Sequence, residues 1–447
     1  MERLVAQSLV RWKTSPRRKP LIVRGARQVG KTWAVTEFGR RHFATLHSVD
    51  LERERALHPL FEGDLDARRI LAELEVVLGR RITPGADLLF LDEVQACPRA
   101  LVALRYFHEE LPGLHVIAAG SLLEFAAGAH AFPVGRVQFL TVFPMTFEEF
   151  LRASGDEVAA DTIAGPLGPQ PEVAHAHLLE RLRRYLFVGG MPEAVASYAA
   201  SGSMQGAFAV HDELVTAYRE DFGKYAGRAD KDCLDAVLGG VAQHVGRQVK
   251  YARLASGFEN RAIKQAFDLL TRAQVVRPVR AASPAGVPLA ASASQKRFKA
   301  IMIDLGLLRQ LSGLRTDVEF ARSDLLAAFN GALAEQFVGQ EILAASGAKR
   351  ELYYWAREER GSSAEIDYLV DGPGRPVPIE VKSGPAGRLR SLHMLLQLYP
   401  GAAPGIVLSE AGFAALPPQK LTFVPLYFAA ALARVGLDDE LGAVGTT

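Results

Sequence analysis

One stretch decides the fold of the first part of the chain: Leu21-Ile22-Val23-Arg24-Gly25-Ala26-Arg27-Gln28-Val29-Gly30-Lys31-Thr32. A short apolar run that predicts a buried strand enters a glycine-bearing loop, and a helical pattern follows Thr32. Such a loop turns several backbone N–H groups and a helix N-terminus toward one point, which suits a triphosphate. We therefore predict that residues 25–32 bind a nucleotide, with Lys31 on the β- and γ-phosphates and Thr32 on Mg²⁺.

Two further apolar runs end in polar side chains. Residues 88–91 lead into Asp92-Glu93, and residues 116–119 lead into Gly120-Ser121. Ligands of open α/β sheets bind at the carboxyl ends of the strands. We expect Asp92 to bind the hydrated Mg²⁺, Glu93 to polarise the attacking water, and Ser121 to contact the γ-phosphate or that water. The alternatives are a solvated carboxylate pair and, for Ser121, an ordinary helix N-cap.

Together these motifs resemble the AAA+ superfamily of P-loop ATPases. In that resemblance Asp92-Glu93 is the Walker B pair, and Ser121 takes the sensor-1 position, where the superfamily often has Asn or Thr. The resemblance implies that the chain binds ATP and hydrolyses it with Mg²⁺. Arg136, in Pro133-Val134-Gly135-Arg136, lies where the family can place an arginine finger that acts on a neighbouring subunit. That role requires a homo-oligomer, and a surface arginine is the alternative.

The fold class predicted for the whole chain is α/β. From residue 20 to about 152, short apolar runs alternate with helical stretches, which predicts a parallel sheet with helices on both faces. Its other strands are expected at 46–49 and 137–140. We assign 1–155 to this ATPase core, 156–225 to a helical lid, 226–312 to a winged-helix-like domain and 313–447 to a last α/β domain. In the third, a helix at 262–271 precedes strands at 275–279 and 298–303.

The last domain carries a second group of charged residues on apolar strands. The segments are Ala364-Glu365-Ile366-Asp367-Tyr368 and Pro378-Ile379-Glu380-Val381-Lys382. Glu380 and Lys382 are two apart, so they share one face of a strand. With Asp367 on the adjacent strand at one edge of a mixed sheet, the carboxylates could hold a second divalent ion and an attacking water. The alternatives are an ion pair that compensates the buried charges and alternating charge on an edge strand.

This Asp followed by Glu-x-Lys resembles the PD-(D/E)XK nuclease fold. The resemblance implies that Asp367, Glu380 and Lys382 are catalytic, with both carboxylates as metal ligands. Glu335 resembles the helical acidic ligand of some members, and Gln397 a polar contact of others. The wider chain resembles bacterial and archaeal AAA+ ATPases with a C-terminal restriction-endonuclease-like domain. Three other segments carry that resemblance: Gly189-Gly190-Met191-Pro192-Glu193, Tyr218-Arg219-Glu220-Asp221-Phe222 and Asp304-Leu305-Gly306-Leu307. Taken alone, the first of these predicts a structural turn.

Composition limits the partners. With 52 Lys and Arg against 50 Asp and Glu, the net charge is +2, so any nucleic-acid site must be a local patch. Lys296-Arg297 and Lys299 could serve such a patch or simply be solvated. The two cysteines are expected to be free thiols, and the chain has no apolar run of membrane-spanning length, so we expect a cytoplasmic protein with no membrane partner.

Two functions stay open. In the first, ATP hydrolysis is coupled to action on nucleic acid, in the first instance DNA, through the nuclease-like site. In the second, the ATPase is a conformational switch for a protein partner, and a catalytically inactive nuclease-like domain serves for docking. The two differ in whether Asp367, Glu380 and Lys382 converge around a space that fits a metal ion.

Overall fold

The computed structural model describes residues 3–121, 135–225, 231–313, 331–347, 351–357, 363–384 and 389–434. By its internal contacts the chain divides into two compact units. The first comprises Met1–Phe143 and Arg272–Gln274, and the second comprises Pro144–Thr271 and Val275–Thr447. The finer division at residues 155, 225 and 312 stays a prediction.

The first unit contains a five-stranded sheet. Its strands are β1 (Leu21–Arg24), β2 (Leu46–Asp50), β3 (Leu88–Asp92), β4 (His115–Gly120) and β5 (Gln138–Thr141). They lie in the order β2-β3-β4-β1-β5, and every neighbouring pair is parallel. The parallel sheet predicted from the apolar runs is confirmed. Every residue of β3 and β4 is buried, as expected of central strands covered on both faces.

Four helices of this unit accompany the sheet: α1 (Val5–Thr14), α2 (Lys31–His42), α3 (Ala67–Leu78) and α4 (Pro98–Glu110). One hydrophobic cluster joins Ile22 and Leu89 of the sheet to Ile70 of α3 and Leu101 of α4. Helix α2 contacts β2 and β4 but adds no residue to that cluster. The apolar residues of each strand alternate between the faces, so α2 covers the face opposite to α3 and α4.

The second unit is helical before and around its sheet. Its helices are α5 (Phe147–Ala153), α6 (Glu157–Ala164), α7 (Glu172–Val188), α8 (Pro192–Ser201), α9 (Met204–Tyr225), α10 (Lys231–Gln243), α11 (Asn260–Arg272, whose last residue belongs to the first unit), α12 (Leu305–Leu311), α13 (Ala332–Ser346), α14 (Arg390–Leu398) and α15 (Ala429–Arg434). No helix among the described residues is long and apolar enough to span a membrane. Cys97 and Cys233 are buried free thiols.

The turn predicted at Gly189-Gly190 separates α7 from α8. The Gly190 N–H donates to Asp304 Oδ2 at 2.6 Å, and the same carboxylate accepts the Leu307 N–H at 3.0 Å, which caps α12. A methyl group on Gly190 would stand 2.1 Å from the carbonyl oxygen of Met145. Two of the sequence segments noted above therefore meet at one buried carboxylate, and their contacts are structural.

An eight-stranded mixed sheet forms the core of the second unit. Its strands are β6 (Val276–Ala281), β7 (Phe298–Met302), β8 (Tyr353–Ala356), β9 (Glu365–Asp371), β10 (Pro376–Val381), β11 (Gly405–Ser409), β12 (Ala414–Leu416) and β13 (Leu421–Pro425). They lie in the order β12-β13-β11-β10-β9-β8-β6-β7. The pairs β10–β11, β11–β13 and β6–β8 are parallel, and the others are antiparallel.

The position of two elements in this sheet differs from expectation. The helix α11 and hairpin β6–β7 predicted as a winged helix are present, but β6 pairs with β8, so the hairpin continues the large sheet. Strands β9 and β10 were expected at an edge of the sheet and instead lie inside it, with β8 and β11 as outer neighbours. The places of the β6–β7 hairpin and of strands β9 and β10 are both set by pairing with strands that are distant in sequence. The interpretation of Glu380 and Lys382 as alternating charge on an edge strand is therefore wrong.

Candidate functional site

The loop of residues 25–32, predicted to bind a nucleotide and here called the nucleotide-binding loop, lies between β1 and α2. A methyl group on Gly25 would stand 2.3 Å from the carbonyl oxygen of Val142, so only glycine fits there. The buried Arg3 donates to the carbonyl oxygens of Val29 at 3.0 Å and Phe143 at 2.7 Å. Arg3 thereby ties the loop to the segment after β5. This role of Arg3 was not predicted, because Arg3 lies more than twenty residues before the motif.

Lys31 lies inside the loop. Only 6% of its surface is exposed, and Nζ donates to the carbonyl oxygens of Gly25 at 3.2 Å and Ala26 at 2.8 Å. Burial lowers the pKa of Lys31 to about 8, against the charges of Glu93 and Asp92, which raise it. An ammonium that has already lost much of its water is well placed to meet an anion, because little further desolvation is needed.

Asp92 ends β3 and is buried. Burial raises its pKa to about 6, against a hydrogen bond with the Thr32 side chain, which lowers it. Thr32 lies in the first turn of α2, so this bond brings together the two residues that were predicted from the sequence as Mg²⁺ ligands. Mg²⁺ in nucleotide sites is held by one or two protein oxygens together with substrate phosphates. The donor set of Thr32 and Asp92 fits that requirement.

Glu93 adopts an uncommon backbone conformation. Its φ is 46° and its ψ is 44°, in the left-handed region that non-glycine residues rarely occupy. Its N–H donates to Asp92 Oδ1 at 3.0 Å, and its carboxylate accepts a hydrogen bond from Gln95 Nε2. The strained turn places the Glu93 carboxylate close enough to Lys31 to affect the pKa of that lysine.

Ser121 and Arg136 lie at opposite ends of the sheet. Ser121 is buried and directly follows β4, which stands between β1 and β3, so it joins the strand ends that carry the loop and Asp92. Arg136 precedes β5, whose first residue Gln138 pairs with Leu21 at the start of β1. The length of β1, about 13 Å, therefore separates Arg136 from the nucleotide-binding loop. Arg136 is about half exposed, and its Nε lies 2.7 Å from Glu109 Oε1.

The three charged residues predicted as a second site, Asp367, Glu380 and Lys382, lie close together. Asp367 Oδ2 accepts the Val381 N–H at 2.8 Å, and Lys382 Nζ lies 2.5 Å from Glu380 Oε1. The charge of Asp367 contributes to the raised pKa of Glu380, so the two carboxylates are neighbours. Strand β9 has a β-bulge at this point. In the pairing with β8, Tyr353 lies opposite Leu369 and Trp355 opposite Ile366. Two residues of β9, Asp367 and Tyr368, therefore face the single residue Tyr354 of β8.

Lys299, which was expected at the surface, lies buried within this group. Lys299 of β7 is 1% exposed, and its Nζ lies 2.9 Å from Glu335 Oε1, 2.5 Å from Glu365 Oε1 and 3.8 Å from Asp367 Oδ1. The expectation that Lys299 serves a basic surface patch is wrong. A lysine between Phe298 and Ala300 on an apolar strand was the available signal, because a buried ammonium requires paired charge.

Burial and charge act together on the pKa values here. Burial alone would lower the pKa of Lys299, but Glu335, Asp367 and Glu365 outweigh it and raise that pKa above its ordinary value. Burial raises the pKa of Glu335 to about 7 and that of Glu380 to about 8, against the charges of Lys299 and Lys382 respectively. The pKa of Asp367 is also raised by burial.

A metal ion was expected here, with Glu335, Asp367 and Glu380 as ligands. In the part of the chain that the structure describes, no three His, Cys, Asp or Glu side chains are grouped so that they could hold one. The carboxylates point instead to two ammonium groups. Gln397 is exposed on α14.

Comparison with known proteins gives family matches for three segments of the chain. Residues 17–151 match a family model described as an AAA domain. Residues 179–318 and 330–427 match two models that are each described as a domain of unknown function (DUF8612 and DUF4143). No curated protein matches the chain.

Three solved structures are similar to parts of this chain. The Walker-type ATPase PABY2304 of Pyrococcus abyssi is 17% identical, with a TM-score of 0.44, over 68% of this chain and 94% of that one. The Aeropyrum pernix Orc1 protein, solved in complex with DNA, is 13% identical, with a TM-score of 0.25, over 71% and 92%. PCH-2 of C. elegans is 12% identical, with a TM-score of 0.26, over 45% and 61%. The family match and the parallel sheet lead to one conclusion: residues 17–151 form an ATPase domain of the AAA+ P-loop class.

Proposed function

We propose that the chain binds ATP with Mg²⁺ in the loop of residues 25–32 and hydrolyses it there. The observation that carries this proposal is the meeting of Lys31, Thr32, Asp92 and Glu93 at the carboxyl ends of β1 and β3. Backbone N–H groups of the loop and the N-terminus of α2 receive the phosphates. Lys31 leaves its two carbonyl partners for the β- and γ-phosphates, and Ser121 contacts the γ-phosphate.

Each side chain then has one task in hydrolysis. Thr32 and Asp92 would hold Mg²⁺, which would neutralise part of the phosphate charge. Glu93 accepts the proton of the attacking water as the water oxygen bonds to the γ-phosphorus, while the bond from that phosphorus to the β–γ bridging oxygen breaks and ADP leaves; the strained turn aims the Glu93 carboxylate. Because Arg136 stands at the far end of the sheet in its own chain, a role as an arginine finger requires that it act on a second subunit, and the active form would then be a homo-oligomer.

The test is release of phosphate from ATP by the purified chain with and without Mg²⁺. We expect hydrolysis that depends on Mg²⁺ and is lost in Lys31→Ala. Titration calorimetry of the same variant should show loss of high-affinity ATP binding, because the charge that opposes the phosphates is gone. Unchanged affinity in Lys31→Ala would overturn the assignment of the loop.

For the second unit, we propose that ATP turnover drives a conformational switch and that the nuclease-like domain docks a partner without cleaving nucleic acid. The observation that favours this over a nuclease is the pairing of the carboxylates with Lys299 and Lys382. The restriction-endonuclease-like fold itself is supported by β9 and β10 as adjacent central strands that carry Asp367 and Glu380.

Coupling to DNA as a partner, with cleavage at Asp367 and Glu380, is the competing function. The two are separated by incubating the chain with single- and double-stranded DNA and RNA, with and without ATP, in Mg²⁺ or Mn²⁺. The switch proposal predicts no cleavage in any combination. Cleavage that disappears in Asp367→Ala, with ATP hydrolysis retained, would establish the nuclease instead.

A further inference from the structure

The Lys299 ammonium lies among the three carboxylates of Glu335, Glu365 and Asp367, where a bound metal ion would have to lie. Its ammonium contacts Glu335 at 2.9 Å and Glu365 at 2.5 Å, and it lies 3.8 Å from Asp367. A divalent ion bound to Asp367 must approach a carboxylate oxygen to about 2.0–2.6 Å. Two cations would then share Asp367 in a buried site, where their repulsion is weakly screened.

The oxygens of the group are also largely taken. Glu365 Oε2 accepts a hydrogen bond from Gln248 Nε2 at 2.9 Å, and its Oε1 faces Lys299. Asp367 Oδ2 accepts the Val381 N–H, which fixes that side chain across two strands. Glu380 Oε1 faces Lys382, and Glu380 Oε2 is buried without a hydrogen-bond partner among the described residues. One such oxygen does not make a coordination shell.

The backbone that carries Lys299 is held in place by hydrogen bonds. Lys299 lies on β7, which is tied to α13 by Gln336, whose side chain bonds both the N–H and the carbonyl oxygen of Met302 at 2.9 and 2.7 Å. Glu335, next to Gln336 on α13, thereby faces Lys299 in a fixed geometry. The ammonium cannot swing out to solvent without breaking this packing.

We propose that the Lys299 ammonium is a built-in cation that takes the place of a divalent metal ion, so that the native C-terminal group binds none. The inference rests on the proposed switch function of the second unit and is independent of the ATPase site. It also predicts that a metal site is latent: Glu335, Glu365 and Asp367 do not form one as they stand, but removing the ammonium leaves their charges uncompensated, and the three carboxylates should then close on a divalent cation.

The test is Mn²⁺ titration by calorimetry on the full chain without nucleotide. Asp367→Asn distinguishes the two sites: Mn²⁺ binding that is lost in this variant occurs at the C-terminal group, because Mn²⁺ binding at the ATPase site does not depend on Asp367. In the otherwise native chain, Asp367→Asn should leave the isotherm unchanged. Lys299→Met should gain about one Mn²⁺ per chain, and Lys299→Met with Asp367→Asn should lose it again. The exposed Lys296 on the same hairpin gives the matched control, Lys296→Met.

Thermal unfolding gives a second readout. Lys299→Met should melt at a lower temperature than the native chain, and Mn²⁺ should restore part of the loss, whereas Lys299→Arg should melt near the native temperature without a response to Mn²⁺. The inference would be overturned if the native protein bound Mn²⁺ and lost that binding in Asp367→Asn. It would also be overturned if Lys299→Met folded but bound no additional Mn²⁺. If Lys299→Met fails to fold, the comparison of native protein with Asp367→Asn decides alone. The Mg²⁺-dependent ATPase assay is a separate measurement, so either proposal can fail without the other.

Discussion

The lowered pKa of Lys31 makes ATP affinity depend on pH in a defined direction. In the free protein the pKa of Lys31 is about 8 instead of 10.5, because the side chain is buried. Bound phosphates stabilise the ammonium and return the pKa toward its ordinary value. Below pH 8 the free protein already carries the ammonium. Above pH 8 the amine is neutral and binding must take up a proton, so affinity falls as pH rises.

The magnitude follows from the protonated fraction. Between pH 7 and pH 9 the charged fraction of a group with a pKa of 8 falls from about nine-tenths to about one-tenth. The dissociation constant for Mg·ATP should therefore rise about tenfold over that interval, or about 1.4 kcal/mol. Asp92, with a pKa of about 6, stays ionised throughout this window and adds little.

The assay is calorimetric titration with Mg·ATP at pH 7, 8 and 9. Lys31→Arg is the matched control, since its guanidinium stays charged at every pH used and reports any pH dependence from other groups. We expect the native slope to disappear in Lys31→Arg, whatever its absolute affinity. The reasoning is refuted by a native affinity that is flat or rises with pH, or by an equal slope in the control.

Three further substitutions test the remaining assignments. Glu93→Gln should keep ATP affinity within a few-fold while slowing phosphate release by about 100- to 10,000-fold, because the amide cannot take the proton; normal release would move the base elsewhere. Arg136→Ala should slow turnover at unchanged ATP affinity, and mixing it with Lys31→Ala should partly restore activity, whereas no complementation would leave a surface arginine. Gly190→Ala should lower stability by about 1–3 kcal/mol in chemical denaturation, since its methyl group would overlap a carbonyl oxygen. Gly239→Ala, in open space on α10, should not, and equal behaviour of the two would contradict the packing argument.

The sequence by itself determined the nucleotide site. Residues 25–32 are contiguous, so the loop, the first turn of α2 and the place of Lys31 follow from local backbone chemistry. The apolar runs before Asp92 and Ser121 fixed two more strands, and parallel pairing then brought their carboxyl ends together. Hydrophobic pattern also predicted β6, β7, β9 and β10 of the second unit to within a few residues, but it did not predict β11, β12 or β13.

Only the tertiary structure decided which side chains meet across long stretches of chain. Arg3 contacts the nucleotide-binding loop from before α1, and Arg136 stands away from that loop because it precedes β5, which runs parallel to β1. Lys299 enters the acidic group because β6 pairs with β8 and α13 lies over β7. A periodic pattern tells that a strand is buried but not which strand lies beside it. That choice depends on packing free energies between distant segments, and it converts a predicted metal site into a group of paired charges.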